Sequence, residues 1–397
     1  MSEFEAIGES SRAQGRAHLS PVHWLFGLLS LALRSGGELT RVVGEMHHTW
    51  SEAPMPWDKT HQADIQRAPK TYLLIKMLLE SSATQLHRIL DRVPATERVS
   101  QPLYRVRSAM NGVFGDKLNE WEHPLALPME TVDEQGGEVA LSRLQAESAQ
   151  GVVLFIHGLC LSEGDWQGPD HQAFVTGLRQ QGYAVAWLRY NTGLPIWENG
   201  SRLDQLLSQQ WKPAHDKRLV MIGHSMGGLI IRSACHAASQ SRGAWLSALT
   251  HAAYLASPHD GAPMEKIGNL ANSLLGVTPY ARPLMALGNI RSLGIRSLRY
   301  ANVTPPQDAS QRQQPLPMYE GCQHLLLGAR KFYEPGQRWL GDGLVPEASA
   351  MGGEHFPLSH TQVRREMLDD VGHITLLQDP RLYRLLCNWL SENRHQG

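Results

Sequence analysis

The sequence has few of the residues that mark a disulfide-bonded, metal-binding or nucleic-acid-binding protein. Its four cysteines lie far apart and form no Cys-x-x-Cys pair, which argues against a zinc site. The formal net charge is −1 and 19% of residues are charged, so no basic face for nucleic acid is expected. We predict no metal, no other cofactor and no nucleic-acid partner. We interpret the cysteines, which are Cys160, Cys235, Cys322 and Cys387, as small apolar residues.

The start of the sequence does not have the pattern of a secretory leader, and the sequence has no long hydrophobic run. It begins MSEFEAIGES, with acidic residues where a signal peptide would be basic. The most apolar stretch, Trp24–Leu33, has about half of the roughly 20 residues that span a bilayer. We therefore expect a cytoplasmic protein without a signal peptide or a transmembrane helix. Peripheral membrane contact through this stretch stays open, although such helix faces usually pack inside proteins.

The spacing of apolar residues changes near residue 135 and predicts two regions. Residues 1–125 have apolar side chains at helical spacing, which indicates a helical N-terminal region. From residue 136 onward, short apolar runs alternate with helical segments, which predicts an α/β fold over 136–397 with a doubly wound, mostly parallel sheet. The strands are expected at Val152–Ile156, Tyr183–Leu188, Leu219–Ile222, Leu249–Ala256 and His324–Leu327.

The third predicted strand runs directly into Gly-His-Ser-Met-Gly-Gly at 223–228, and a helix follows. A strand-to-helix turn this tight strains its middle residue and leaves no space for side chains two positions away. Gly223 and Gly227 meet that requirement, and His224 precedes the serine. We therefore predict that Ser225 is a nucleophile at the carboxyl edge of the sheet, in an elbow formed by Gly223, His224 and Gly227.

A serine nucleophile needs a base, and the base needs a carboxylate that orients it. Asp342 lies between two glycines in a loop after the fifth strand, and His373 precedes the last helix. Catalytic groups collect on such loops at the carboxyl ends of parallel strands. The segment between the two residues has room for one strand, expected around His355–Ser359. Asp260, which follows the fourth strand, remains an alternative acid.

The tetrahedral intermediate of such a reaction needs preorganised N–H donors, each contributing about 3 kcal/mol. One predicted donor is the backbone amide of Met226, directly after the serine. The other is the amide of Leu159, because Gly158 lets the chain turn sharply after the first central strand. His157 is interpreted as a structural residue beneath this loop.

Together, these motifs resemble the lipase and esterase branch of the α/β-hydrolase superfamily over about residues 138–391. The sequence looks like bacterial triacylglycerol lipases and GPI inositol-deacylase-like esterases. The resemblance implies Ser225, Asp342 and His373 as the catalytic triad, and it implies a structural role for the segment that contains Asp260. The matching segments are Phe155–Leu159, Gly223–Gly228, Ser257–Pro263, Asp342–Pro346 and Gly372–His373.

Residues 264–320, between the fourth and fifth strands, are too many for a simple connection and predict a cap or lid. The segment is rich in leucine, which favours a lipid or another apolar acyl ester as the substrate, although it could also only cover the sheet. The predicted function is carboxylic ester hydrolysis through an acyl-enzyme on Ser225. An acyltransferase with the same triad and a non-catalytic binding protein of the same fold are the alternatives.

Overall fold

The computed structural model describes residues 23, 26–37, 40, 70–90, 101–214, 216–264, 266–269, 292–305, 316, 318–331, 341–356 and 362–392. The chain divides into two compact units. The first comprises Met1–Ser100 and Glu122–Leu125, and the second Gln101–Trp121 and Ala126–Gly397. Most of the cap predicted over 264–320 lies outside the described residues, as do Trp24 and Leu25 of the apolar stretch.

The first unit is helical where the structure describes it. Helix α1 covers residues 26–37 and α2 covers Lys70–Leu90. Several large apolar side chains of α2 are exposed, among them Met77 at 66% and Leu78 at 60%. Among the described residues, no helix is both long enough and apolar enough to cross a membrane.

The second unit is built on a seven-stranded sheet in the order β1-β3-β2-β4-β5-β6-β7. Strand β1 runs antiparallel to β3, and every other pair is parallel, so the predicted α/β fold with a mostly parallel sheet is confirmed. The strands are β1 Glu130–Val132, β2 Gly151–Ile156, β3 Tyr183–Arg189, β4 Arg218–His224, β5 Leu249–Leu255, β6 Gln323–Arg330 and β7 Val363–Asp369.

The last strand does not lie where the sequence predicted it. A strand was expected around His355–Ser359, but His355 ends the short 3-10 helix Gly353–His355, and β7 covers Val363–Asp369. The reason is that β7 is an edge strand, half-buried along most of its length, with the sequence VRREMLD. It lacks the continuous apolar run that marks a strand covered on both faces.

Helices lie between the strands and complete the second unit. The long helix α3 belongs to this unit, whereas the sequence pattern grouped its residues with the helical region 1–125. The helices are α3 Gln101–Glu120, α4 Leu141–Glu147, α5 Pro169–Gln180, α6 Ile196–Gln210, α7 Met226–Ser241, α8 Leu293–Arg299, α9 Glu347–Ala350 and α10 Pro380–Glu392.

The core lies on both faces of the central strands. Every residue of β2 is buried, as its unbroken apolar sequence GVVLFI requires. On one face, Phe155 stacks on Trp187 with ring centroids 5.7 Å apart and contacts Trp166 at 4.9 Å. This packing fixes β2, whose carboxyl end leads into the loop with Leu159.

Candidate active site

Ser225 is the single residue between β4 and α7, and its backbone is strained. Its φ is 53° and its ψ is −122°, a conformation that residues with a side chain rarely adopt. A Cβ atom on Gly223 would lie 2.5 Å from the Gly228 nitrogen, and one on Gly227 would lie 2.3 Å from the Ile156 oxygen. Both glycines are therefore required by close backbone approach, as the elbow pattern predicted.

Asp342 and His373 are joined by both their side chains and their backbones. His373 Nδ1–H donates to Asp342 Oδ2 over 2.7 Å, and the His373 amide donates to the Asp342 carbonyl oxygen over 3.2 Å. The other carboxylate oxygen accepts from the amides of Leu344 at 2.9 Å and Val345 at 2.8 Å. Because an ionised carboxylate only accepts, Nδ1 carries the imidazole proton and Nε2 keeps its lone pair.

The surroundings of Asp342 favour its ionised form. Burial raises the pKa of Asp342, but the adjacent His373 imidazole and its hydrogen bond lower it. The two backbone amides lower it further, and the net result is a pKa below the ordinary value. The side chain therefore remains a carboxylate at neutral pH and orients the imidazole.

The residue before Ser225 connects the elbow to His373. His224 Nε2–H donates to the His373 carbonyl oxygen over 3.0 Å, and the two rings lie 4.9 Å apart. Burial, together with the neighbouring His373, lowers the pKa of His224 to about 3, so its ring is neutral. His373 Nε2 is buried and has no hydrogen-bond partner among the described residues. The residue next to Ser225 is thus bonded to the backbone of His373, which is itself paired with Asp342.

The predicted oxyanion donors lie on either side of the serine. A Cβ atom on Gly158 would lie 2.9 Å from the Ser225 Cβ, so the loop that carries Leu159 passes directly over the serine. Met226 opens α7, where the first N–H groups of a helix lack internal partners. Within the described chain, neither the Leu159 amide nor the Met226 amide has an acceptor.

His157 supports this loop in the manner expected from the sequence. Its ring is buried, lies 3.0 Å through Nδ1 from the Gly158 carbonyl oxygen, and stacks on Tyr190 at 4.5 Å. The Tyr190 hydroxyl donates to the His157 carbonyl oxygen over 2.6 Å. The Cys160 amide donates to Thr192 Oγ1 over 3.2 Å, so the chain after β3 also holds the loop. Sequence reasoning missed Tyr190 and Thr192, which follow β3 within three residues.

Helix α3 packs against the same two loops, a contact that the sequence pattern did not reveal. A Cβ atom on Gly112 would lie 2.2 Å from Cys160 Sγ, and one on Gly115 would lie 1.9 Å from Asn191 Oδ1. Asn191 Nδ2 in turn donates to the Gly115 carbonyl oxygen over 2.8 Å. The two glycines stand three residues apart on one helix face, which is the signal that could have indicated this close approach.

Asp260, the alternative acid, lies beside a different histidine. Its Oδ1 is 3.5 Å from His355 Nε2, and its backbone amide donates to Ser349 Oγ over 3.0 Å. No hydrogen bond joins Asp260 to His373 in the described part of the chain. The geometry therefore favours Asp342 as the partner of His373.

A cavity of about 370 Å³ opens at the Asp342–His373 pair. Its wall includes the apolar residues Leu344 and Ile374, and Lys266 and Lys331 also line it. Over the described ranges, no group of three or more histidine, cysteine, aspartate or glutamate residues could hold a metal ion. The arrangement can transfer a proton from a hydroxyl group to His373 and can donate hydrogen bonds to a developing oxyanion.

Solved structures similar to this chain include several hydrolases. A lipase from Bacillus licheniformis, BlEst2, is 17% identical over 61% of this chain and 92% of its own, with a TM-score of 0.41. Est1E from Butyrivibrio proteoclasticus, with ferulic acid bound, is 15% identical over 67% of this chain and 94% of its own, with a TM-score of 0.38. Mouse alpha/beta hydrolase domain-containing protein 10 is 13% identical over 67% and 92%, with a TM-score of 0.39. The comparison with curated proteins finds no significant match.

The comparison with protein families is more direct. The sequence model of the alpha/beta hydrolase family matches residues 153–384, which is more than half of the chain. The matched range contains most of β2, β4 with its elbow, Asp342 and His373. The matched range leaves out α3, which packs against the loops after β2 and β3. The chain belongs to the alpha/beta hydrolase family.

Proposed function

We propose that this hydrolase cleaves carboxylic esters through an acyl-enzyme on Ser225. The observation that carries the proposal is the state of His373 Nε2. This nitrogen is buried, bears a lone pair because Nδ1 donates to Asp342, and has no partner among the described residues. It is the acceptor that a serine hydroxyl in the adjacent elbow requires.

In the first half of the reaction, His373 Nε2 takes the proton of the Ser225 hydroxyl as Oγ attacks the ester carbonyl. The Leu159 and Met226 amides donate to the resulting oxyanion. His373 then gives the proton to the departing alcohol, and the acyl group stays on Ser225. In the second half, His373 takes a proton from water as the water oxygen attacks the acyl-enzyme. His373 then gives this proton to Ser225 Oγ as the bond to the acyl group breaks, which releases the carboxylic acid and restores the free serine.

The proposed substrate carries a lipid-like or other apolar acyl group. The support is the leucine-rich composition of 264–320, together with Leu344 and Ile374 in the cavity wall. Turnover of p-nitrophenyl esters from acetyl to palmitoyl tests this specificity. We expect kcat/KM to rise beyond acetyl, whereas a strict preference for acetyl would contradict an apolar acyl site.

The nucleophile itself is tested by labelling with a fluorophosphonate probe. We expect stoichiometric labelling of the wild-type chain and none of Ser225→Ala. The matched control is Ser201→Ala, which changes an exposed serine on α6 and should label like the wild type. If the folded wild-type protein is not labelled, the serine hydrolase proposal is wrong.

A further inference from the structure

We propose that a second cavity of this chain, at Arg232 on α7, binds the carboxylate or phosphate group of a small anionic ligand. The cavity measures about 510 Å³ and lies between α7, β5 and the chain that leads into β6. It shares no lining residue with the cavity at Asp342 and His373. Its polar lining includes Arg232, His236, Ser239, Gln240 and Tyr319.

Arg232 is a buried cation with no carboxylate of the described residues within ion-pair distance, although Asp260 lies near enough to favour its charged form. Its side chain is 5% exposed, and no ion pair joins it to an acidic residue within the described chain. Its guanidinium donates to the Leu316 carbonyl oxygen over 3.1 Å and to His259 Nδ1 over 3.3 Å, and it lies 5.5 Å from the centre of the Phe356 ring. Neither of the two acceptors neutralises the charge.

The charge persists despite the burial. Burial lowers the pKa of Arg232 to about 10, which still leaves the guanidinium protonated at neutral pH. Burial of a charge is unfavourable unless a counter-charge and hydrogen bonds offset the loss of water. Because the cavity opens on Arg232, a ligand can supply that counter-charge.

His259 accepts a hydrogen bond from the guanidinium as a neutral ring. Burial and the neighbouring Arg232 lower the pKa of His259 well below the ordinary value, so the ring is neutral. Its Nδ1 accepts from Arg232, and Nε2 therefore carries the proton. Nε2 is buried and has no partner among the described residues. His259, which does not line the cavity, thus holds the guanidinium in place without neutralising its charge.

The remaining lining suits an anion better than a cation. Ser239 and Gln240 are exposed and contribute hydroxyl and amide groups at the entrance. The acidic residue that lines the cavity is Glu320, which is exposed and forms no ion pair with Arg232. A guanidinium fork recognises carboxylate and phosphate through paired hydrogen bonds. The volume leaves space for an organic part beyond the charged group.

Calorimetric titration of the full chain with inorganic phosphate and with acetate tests the proposal, with chloride at matched ionic strength as the reference. We expect saturable binding of at least one of the two anions and none with chloride. Their relative affinity distinguishes a phosphate ligand from a carboxylate ligand. The proposal is overturned if neither anion binds the wild-type chain saturably.

Two matched variants locate the binding, since Arg232→Gln could fail to fold. Ser239→Glu places a carboxylate at the cavity entrance, where it competes with the anion, and should weaken binding about tenfold or more. Ser201→Glu is the control. Both serines are exposed on a helix and donate to the carbonyl four residues earlier, but Ser201 does not line the cavity. Equal affinity of the two variants would exclude this cavity as the anion site. Labelling of Ser225 should be unchanged in both.

Discussion

Asp342 and Asp260 follow the neighbouring strands β6 and β5, and each pairs with a histidine, yet the His373–Asp342 and His355–Asp260 pairs differ in geometry. The nitrogen-to-oxygen distance is 2.7 Å in the first pair and 3.5 Å in the second. The side chain of Asp342 is 1% exposed, whereas that of Asp260 is 24% exposed. A carboxylate that must orient a base benefits from the shorter bond and from the absence of competing water.

The pairs also differ in what else holds them. Two amides of its own turn fix the carboxylate of Asp342, and the His373 backbone is bonded to both Asp342 and His224. The amide of Asp260 is instead bonded to Ser349, whose hydroxyl donates to the Gly261 carbonyl oxygen. The Asp260 loop after β5 is therefore connected to α9. An aspartate is thus not identified as a catalytic acid merely by its position after a parallel strand.

The largest expected effect is that of Asp342→Asn. An amide in place of the carboxylate favours the wrong imidazole tautomer, and kcat should fall about 10⁴-fold. Asp260→Asn, the matched change in the second pair, should lower kcat by less than about tenfold, because it removes only a structural contact. Steady-state kinetics with p-nitrophenyl butyrate measures both. Equal losses in the two variants would remove the distinction between the pairs.

Gly112→Ala tests whether helix α3 positions the loop that carries the Leu159 amide. The new Cβ would lie 2.2 Å from Cys160 Sγ and 2.9 Å from Cys160 Cα, so the loop that carries the Leu159 amide must shift. Misplacement of catalytic groups by about 1 Å can cost on the order of 10²-fold, and we expect kcat to fall by up to that factor with a smaller change in KM.

The control for Gly112→Ala is Gly177→Ala. Gly177 lies inside α5, and a Cβ atom at this position would have open space around it, with nothing within 4 Å. Alanine there should leave kcat unchanged and stabilise the fold by about 1 kcal/mol, because glycine is a poor helix former. An unchanged kcat in Gly112→Ala would show that α3 does not position the Leu159 loop.

The strands and helices differ in how well the sequence predicted them. The central strands β2 to β6 were predicted because they are buried on both faces, which leaves continuous apolar runs. Strands β1 and β7 lie at the edges of the sheet and lack such runs, so they were missed. The sequence pattern grouped helix α3 with residues 1–125, because helical spacing does not reveal which surface a helix packs on, whereas α3 lies in the second compact unit.

The candidate catalytic residues were predicted from local sequence motifs, whereas the residues that contact and position the loops of the site lie elsewhere in the chain. Ser225 stands in a turn whose glycines are required within a few residues of it, so the sequence alone indicates the elbow. The contacts of Cys160 with Thr192 and Gly112 join residues more than thirty positions apart. Only the three-dimensional structure shows contacts between residues so far apart in the sequence. It also shows that Asp260 pairs with His355 and not with His373.

The stability of the fold in acid limits the pH range over which the activities of the Asp342 and Asp260 variants can be compared. His171 is enclosed by aromatic rings, with Phe155 at 5.1 Å and Tyr383 at 5.5 Å, and burial lowers its pKa to about 4. The unfolded chain takes up this proton near the ordinary value of 6.5. The contribution of His171 to stability is therefore complete above pH 6.5 and is lost as the pH falls toward 4.

Replacing the ring in His171→Phe removes this titration while keeping an aromatic side chain among aromatic neighbours. Between pH 6.5 and 5, the free energy of unfolding of the wild type should fall by about 2 kcal/mol more than that of the variant. Urea unfolding at the two pH values measures the difference. If both proteins lose equal stability, His171 is not the source of acid lability. If the difference appears, activity lost by the wild type but kept by His171→Phe at pH 5 reflects loss of the folded state.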